Sequence, residues 1–467
     1  MAAAAPVWAV LLSLLSSNCC LAYLASHRGH QAASRGVPAF SSASRGSSAA
    51  ATVAAAAKNA EEDLELTRQI ILDRVLKTAK NEKGGIVEKD ATDYMSDRPE
   101  NDLMIRAALG NERVERTPIW LFRQAGRHLP EYNEYKKKTN RNFLELLADP
   151  VSVAECTLQP VRRYPVDAAI LFSDILVIPE AMGIEVTMPG GVGIQVPNPL
   201  KGPDEVDTRL PAIEELSTKK FVQDKLGHVL QAVRQIRAQM ESESISVPLI
   251  GFSAAPWTLL FYMIGGSSKK NTERGVAWLK EHPEASQKLL DKLTRVVTEY
   301  LSAQVDAGCH MLQVFEAMGM MIDDENFEKF ALPCMEVIAT ELRSRHPNIP
   351  LMVFCRGACQ MNDKVAALGL YDVITIDGSV DRSTARKFVG GHVTLQGNYD
   401  PAELVESNGK TVETVRSTAK ELLKALGPQR LIANLGEGLS GKESPELVKA
   451  FVDAIHEESE AMIAASS

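Results

Sequence analysis

From Pro118 onward the chain repeats one unit. A short apolar run rich in β-branched and aromatic residues is followed by a polar or glycine-marked break, then by a stretch with helical periodicity. Candidate strands fall at 119–122, 168–172, 249–252, 311–315, 351–354, 373–376, 393–395 and 431–433. Continuous apolar runs of this length suit strands covered on both faces. Parallel neighbours need long crossover connections, which the helical spacers provide. Eight such units predict an α/β fold, the (β/α)8 TIM barrel, over residues 101–460. Residues 213–240, 283–307 and 326–345 read as long amphipathic helices of its outer ring. A two-domain doubly wound fold is the alternative, but the chain lacks the glycine-rich phosphate turn that normally marks one.

Barrel chemistry sits where strands end. Those ends carry Arg123 and Arg127, Ser173-Asp174, Ser253, Glu316, Arg356, Asp377, Asn398, and Asn434 with Glu437. The first is the most informative: an apolar run stops at two arginines four residues apart, with Ala125-Gly126 between them and Pro130 soon after. Arginine offers a planar fork of donors and stays charged, so such a loop can grip carboxylates or phosphates. The plain alternative is a surface loop with two solvated arginines. Asp174 follows a run that must be buried, so it either caps the next helix or faces the cleft.

The run Pro118-Ile119-Trp120-Leu121-Phe122-Arg123-Gln124-Ala125-Gly126-Arg127-His128-Leu129-Pro130-Glu131-Tyr132 resembles the N-terminal signature of the uroporphyrinogen decarboxylase family. Phe122 stands in place of the family's Met, and His128 in place of its Tyr. The segment from Pro248 to Leu259, continuing to Tyr262-Met263, is similar to the family's second diagnostic stretch. Segments 158–176, 394–398 and 432–436 also resemble it, and the likeness runs from about Asn101 to about His456.

The resemblance implies a decarboxylase that converts the four acetate side chains of uroporphyrinogen to methyls on the path to haem and chlorophyll. It implies that Asp174 accepts hydrogen bonds from the pyrrole N–H groups and stabilises a protonated pyrrole ring. Protonating the ring creates its own electron sink, so no metal, flavin or pyridoxal cofactor is required. Arg123 is then the favoured proton donor and Arg127 a carboxylate holder, although an ordinary arginine is a poor acid. Which of the two donates stays open. Gln124, Ala125, Gly126, Tyr262, Ala317 and Glu437 complete the implied substrate-binding set, and a homodimer is implied as well.

Several positions depart from the family pattern: His128, Gly265, Ala317, Met318, Gly378 and, above all, Glu437, a carboxylate where a histidine normally meets the substrate. Two readings therefore stand, an active decarboxylase and a weakened or re-purposed relative that binds a tetrapyrrole or another anion. Zinc-linked relatives in the wider superfamily use His-x-Cys and a distant Cys. Here Cys309-His310 are adjacent and Cys355-x-x-x-Cys359 has no nearby histidine, which argues against a metal site.

The first sixty residues contain no Asp or Glu and four basic residues, amid much Ala and Ser. Residues 7–23 suit a signal core but are short and Ser-rich for a membrane span, and 27–57 have transit-peptide composition. A bipartite presequence for a complex plastid is expected, with Phe40 near the start of the transit tract. A secretory signal followed by a linker is the alternative. Five cysteines remain beyond it, an odd number without a dense framework, which favours a reduced compartment. Residues 61–100 form a charged extension, with 61–78 capable of an amphipathic helix. Removing residues 1–60 takes the formal charge from −9 to −13, so nucleic acid is an unfavoured partner. An acidic chain that binds a polyanion must concentrate positive charge, and Arg123, Arg127 and His128 are expected to do so.

Overall fold

The computed structural model describes residues 98–466, apart from 189–192 and 267–271. The expected presequence (1–60) and nearly all of the 61–100 extension lie outside the described residues. Seven strands form one sheet in which every neighbouring pair is parallel: β1 (Ala169–Ile170), β2 (Leu249–Ala254), β3 (Met311–Glu316), β4 (Leu351–Cys355), β5 (Val373–Thr375), β6 (Thr394–Tyr399) and β7 (Leu431–Leu435). Their order in the sheet is their order in the sequence. A doubly wound sheet reverses direction at a switch point. This one never reverses, so the two-domain alternative fails.

The expected strand at 119–122 is a correction. It makes one bridge to β7, Ile119 to Ala433, and no ladder. Side chains take the backbone donors that a ladder would use. The carboxylate of Asp167 accepts from Ile119 N–H (2.9 Å), Gln124 Oε1 from Leu121 N–H (3.2 Å) and Asn434 Oδ1 from Phe122 N–H (3.0 Å). On the opposite flank, Asp167 N–H donates to Ile119 O at 2.8 Å. β1 is short for the same reason. Gln124 Nε2 donates to Ala168 O (3.0 Å), and Phe172 N–H goes to Thr157 Oγ1 (3.0 Å). The backbone groups left out of the ladder are satisfied largely by side chains from elsewhere.

Helices fill the connections: α1 (Leu103–Leu109), α2 (Pro130–Thr139) and α3 (Pro150–Arg163) before β1; α4 (Val177–Ala181) and α5 (Lys219–Ser242) before β2; α6 (Pro256–Gly265) and α7 (Pro283–Ala307) before β3; α8 (Leu332–Arg345) before β4; α9 (Arg382–Val389) before β6; α10 (Val412–Leu426) before β7; and α11 (Pro445–Ser466) last. α7 occupies the expected 283–307, entered through Pro283 and stopped at Gly308, whose φ is +123°. The expected helix 213–240 is interrupted before Thr218, whose Oγ1 caps α5 by accepting from Phe221 N–H at 3.1 Å. In the expected 326–345, residues Phe327–Ala331 form a π turn ahead of α8, next to Pro333, which has no N–H to give.

Two buried polar assemblies fix the frame. Midway along the strands, Trp120 Nε1 donates to Gln396 Oε1 (2.8 Å), and Gln396 Nε2 donates to Gln313 Oε1 (3.0 Å) and Thr375 Oγ1 (2.8 Å). That layer joins the first apolar run to β3, β5 and β6. At the entry to β1, Asp167 takes a two-pronged contact from Arg116 (2.9 and 2.7 Å), a bond from Asn101 (3.2 Å) and one shared with His456 of α11 (2.9 Å). Burial alone would push this carboxyl up. The bonds from His456 and Arg116 outweigh burial and hold it below its ordinary range. All five described cysteines are free and buried. Among the described residues, no helix is long and apolar enough to cross a membrane.

Candidate active site

Arg123 sits in the left-handed region, φ +58°, unusual for a residue with a Cβ. A turn holds it there: Gln124 N–H donates to Leu121 O (3.0 Å) while the Gln124 amide spans Leu121 N–H and Ala168 O. Gln124 is fully buried, so it shapes the loop from beneath. The turn leaves Arg123 and Arg127 exposed, and both lie on residues 436–443. A Cβ on Gly438 would stand 2.6 Å from Arg123 Cδ, and one on Gly441 2.9 Å from Arg127 Cβ. Arg127 Nη2 also donates to Ser440 O at 2.9 Å.

That supporting loop is organised by Glu443, which sequence reasoning missed. Its buried carboxylate accepts from Ser440 N–H (2.8 Å), Ser440 Oγ (2.9 Å), Gly441 N–H (2.8 Å) and Lys442 N–H (3.0 Å). Burial would raise its pKa, but these donors keep it lowered and ionised. Four small or polar residues before a helix were the available signal.

Asp174 makes a local turn bond and does not cap the helix that follows, whose N-cap residue Leu176 has no side-chain cap. Oδ1 accepts Leu176 N–H at 2.7 Å, ahead of α4, and Oδ2 accepts no hydrogen bond among the described residues. The half-buried carboxyl is pushed up to about 6 by burial, with the Leu176 N–H and the Arg123 guanidinium pulling down. A carboxylate held in that range is primed for donors that arrive with a ligand. Neighbouring Ser173 bonds the buried Tyr300 of α7.

Other expected residues make contacts within the scaffold. His128 is a correction: it is buried, stacked on Tyr164 (6.3 Å, 7° between planes), with neither ring nitrogen bonded. Burial lowers its pKa to about 4, so it is neutral and adds nothing to the positive patch. Glu316 is buried and raised to about 8 by burial, accepting from Thr258 Oγ1, Thr258 N–H and Met318 N–H. It ties the end of β3 to the start of α6. Ala317 N–H donates to Thr258 Oγ1 (2.8 Å) in the same knot. Tyr262 is buried in α6 with its ring edge-on to Phe261, and Ser253 Oγ donates to Ala254 O. Among the described residues, no group of three or more His, Cys, Asp and Glu is arranged to hold a metal ion.

A cavity of about 560 Å³ opens beyond β4–β7, lined by Arg356, Asp377, Arg382, Asn398 and Glu437 among others. The resemblance implied that Glu437 stands where a histidine normally meets the substrate. It pairs with Arg356, whose Nη2 donates to Glu437 Oε2 at 2.9 Å. Arg356 had been noted only as a strand-end residue, and a partner 81 positions away leaves no periodic trace. Asp377 accepts from Gly357 N–H (2.7 Å) and Ser379 N–H (2.9 Å), and Asn398 Nδ2 donates to Asp377 O (2.7 Å).

A family model described as Uroporphyrinogen decarboxylase (URO-D) matches residues 99–458. The uroporphyrinogen decarboxylase of Salinibacter ruber is 42% identical over 363 residues, covering 78% of this chain and 97% of that protein. The one from Danio rerio is 40% identical over 386 residues, covering 81% and 100%. The one from Homo sapiens is 41% identical over 364 residues, covering 77% and 94%. Among solved structures, a methyltransferase from Methanosarcina mazei aligns with a TM-score of 0.62 at 20% identity, covering 77% of this chain and 98% of that one, a likeness of fold alone. The chain belongs to the uroporphyrinogen decarboxylase family.

Proposed function

We propose that the chain is a uroporphyrinogen decarboxylase, a carboxy-lyase that turns four ring acetates into methyls. The observation that carries the reading is Asp174: a half-buried carboxylate with one oxygen committed to Leu176 and the other open, close enough to Arg123 to feel its charge. In each round a proton adds to a pyrrole α-carbon and makes the ring an iminium. The C–C bond to the carboxylate then breaks, carbon dioxide leaves, and the electron pair neutralises the ring. The exocyclic methylene takes up a proton as the ring gives one back, so one proton is consumed per carbon dioxide. Ionised Asp174 accepts the pyrrole N–H groups and stabilises the cation. Arg127, braced on Ser440, is placed to hold substrate carboxylates.

Pairing of Glu437 with Arg356 weakens the main argument for a re-purposed relative, since the substituted carboxylate has a counter-ion within the chain. The test is an assay of the purified chain with uroporphyrinogen, resolving the hepta- to tetracarboxylate products. Successive loss of four carboxyl groups is expected, and no decarboxylation would sink the reading.

Three further elements belong to the same proposal. The seven-stranded sheet closes into a (β/α)8 barrel through the first apolar run, supported by Ile119 bonding toward β7 on one side and Asp167 on the other. The chain pairs as a homodimer, a reading that rests on the resemblance and that sedimentation measures. Residues 1–60 direct it to a plastid, supported by their composition. A reporter bearing them should accumulate in plastids, and secretion of that reporter would overturn the assignment.

A further inference from the structure

Besides the Asp174 centre, the cavity beyond β4–β7 carries two guanidinium groups in unequal circumstances. Arg382 is half-buried and held by Asn398, donating from Nε to Oδ1 (2.9 Å) and from Nη2 to the backbone oxygen (3.1 Å). No carboxylate lies within ion-pairing distance of it among the described residues; Asp400 and Glu421 act on it only from farther away. The aspartates in the lining keep their charge but are turned to neutral donors rather than to Arg382. Asp377 accepts from Gly357 and Ser379, Asp381 from Ser383, and Asp400 from Ala402. A guanidinium fixed in a concave site without a counter-ion is an anion receptor.

Arg356 is the half that already has a carboxylate partner. Its partner Glu437 is on the rim, the two side chains 39% and 55% exposed. An exposed pair of this kind shifts an equilibrium by less than about tenfold. A carboxylate entering the cavity meets less water around it and competes well for the same guanidinium.

Resting on the tetrapyrrole reading above, we infer that Arg382 and Arg356 form a carboxylate subsite for a substrate side chain, with Glu437 as the internal occupant that the side chain displaces. Glu437 is then a built-in competitor. It keeps Arg356 neutralised in the empty protein and sets a threshold that weakly anionic ligands do not cross.

The experiment is fluorescence titration of the full chain with two non-reactive probes, uroporphyrin with eight carboxylates and coproporphyrin with four. Arg382→Gln should weaken uroporphyrin binding about tenfold or more, while Arg382→Lys recovers part of the loss. Arg356→Gln should weaken it similarly, and because that side chain makes only a rim pair, its fold should be intact by circular dichroism. Glu437→Gln should tighten binding by about three- to tenfold. In an Arg356→Gln background that gain should largely vanish. A coproporphyrin loss equal to that of uroporphyrin marks the bound group as one present in both; a loss confined to uroporphyrin marks it as an acetate.

If wild type binds uroporphyrin and both arginine variants stay within twofold of it, the subsite is wrong while the tetrapyrrole reading survives. An undiminished Glu437→Gln gain in the Arg356→Gln background overturns the displacement. If wild type binds neither porphyrin, both the subsite and the reading beneath it fall.

Discussion

Asp174 is asked to be charged where burial resists charge. Its carboxyl titrates at about 6 in the fold against an ordinary 3.8. For an acid raised in the folded state, the penalty is absent below the unfolded value, grows as pH rises between the two, and is complete above about 6. At neutral pH the difference is worth on the order of 2–3 kcal/mol. Asp174→Asn keeps the shape and the Leu176 bond but discards both the penalty and the charge. The variant is therefore expected to be more heat-stable than wild type at pH 7.5 and no more stable near pH 4, while its turnover falls by about a hundred- to thousandfold. Melting curves at the two pH values and a rate assay check it. A variant with near-normal turnover would make Asp174 a scaffold residue. The wild-type rate should also decline as pH drops through about 6, where the carboxylate takes up its proton.

The loop at 436–443 sets the arginines, and its glycines are steric requirements. Gly438→Ala places a methyl 2.6 Å from Arg123 Cδ, which must swing off its seat. Arg123 is at the surface, so the change should cost activity by tenfold or more with a melting point within a degree or two of wild type, as rate assays and calorimetry would show. A large loss of stability would mean that the loop, not the arginine, gives way. Much of this was legible beforehand. The apolar runs located seven strands, α7 was marked by Pro283 and Gly308, and Asp174 follows β1 as expected, while Arg123 and Arg127 follow a run that pairs only through Ile119. Periodicity could not reveal where side chains replace backbone partners, as Asp167, Gln124 and Asn434 do along residues 119–122. Nor could it show that His128 turns inward, or that Arg356 meets Glu437. Those facts depend on contacts between segments far apart in the chain.

At the scale of the molecule, Asp167 joins the two ends of the described fold: Asn101 and Arg116 from its beginning, His456 from its last helix. Removing its charge leaves Arg116 facing a neutral amide beside a buried site. Asp167→Asn is expected to destabilise by about 3–5 kcal/mol, seen as a lower midpoint in urea. Because the carboxyl is held below its ordinary range, its contribution is full above that range and is lost only as pH falls below it. The stability gap between wild type and variant should therefore close in acid. A constant gap across pH would assign the loss to packing instead.

Protein synthesis proceeds from the N-terminus, and His456 follows Asp167 by 289 residues. Asp167 and Arg116 are therefore made long before their third partner exists. The contact that ties the start of the described fold to its last helix waits until that helix has been synthesised. Until then a nascent chain of this protein carries an unlatched first segment.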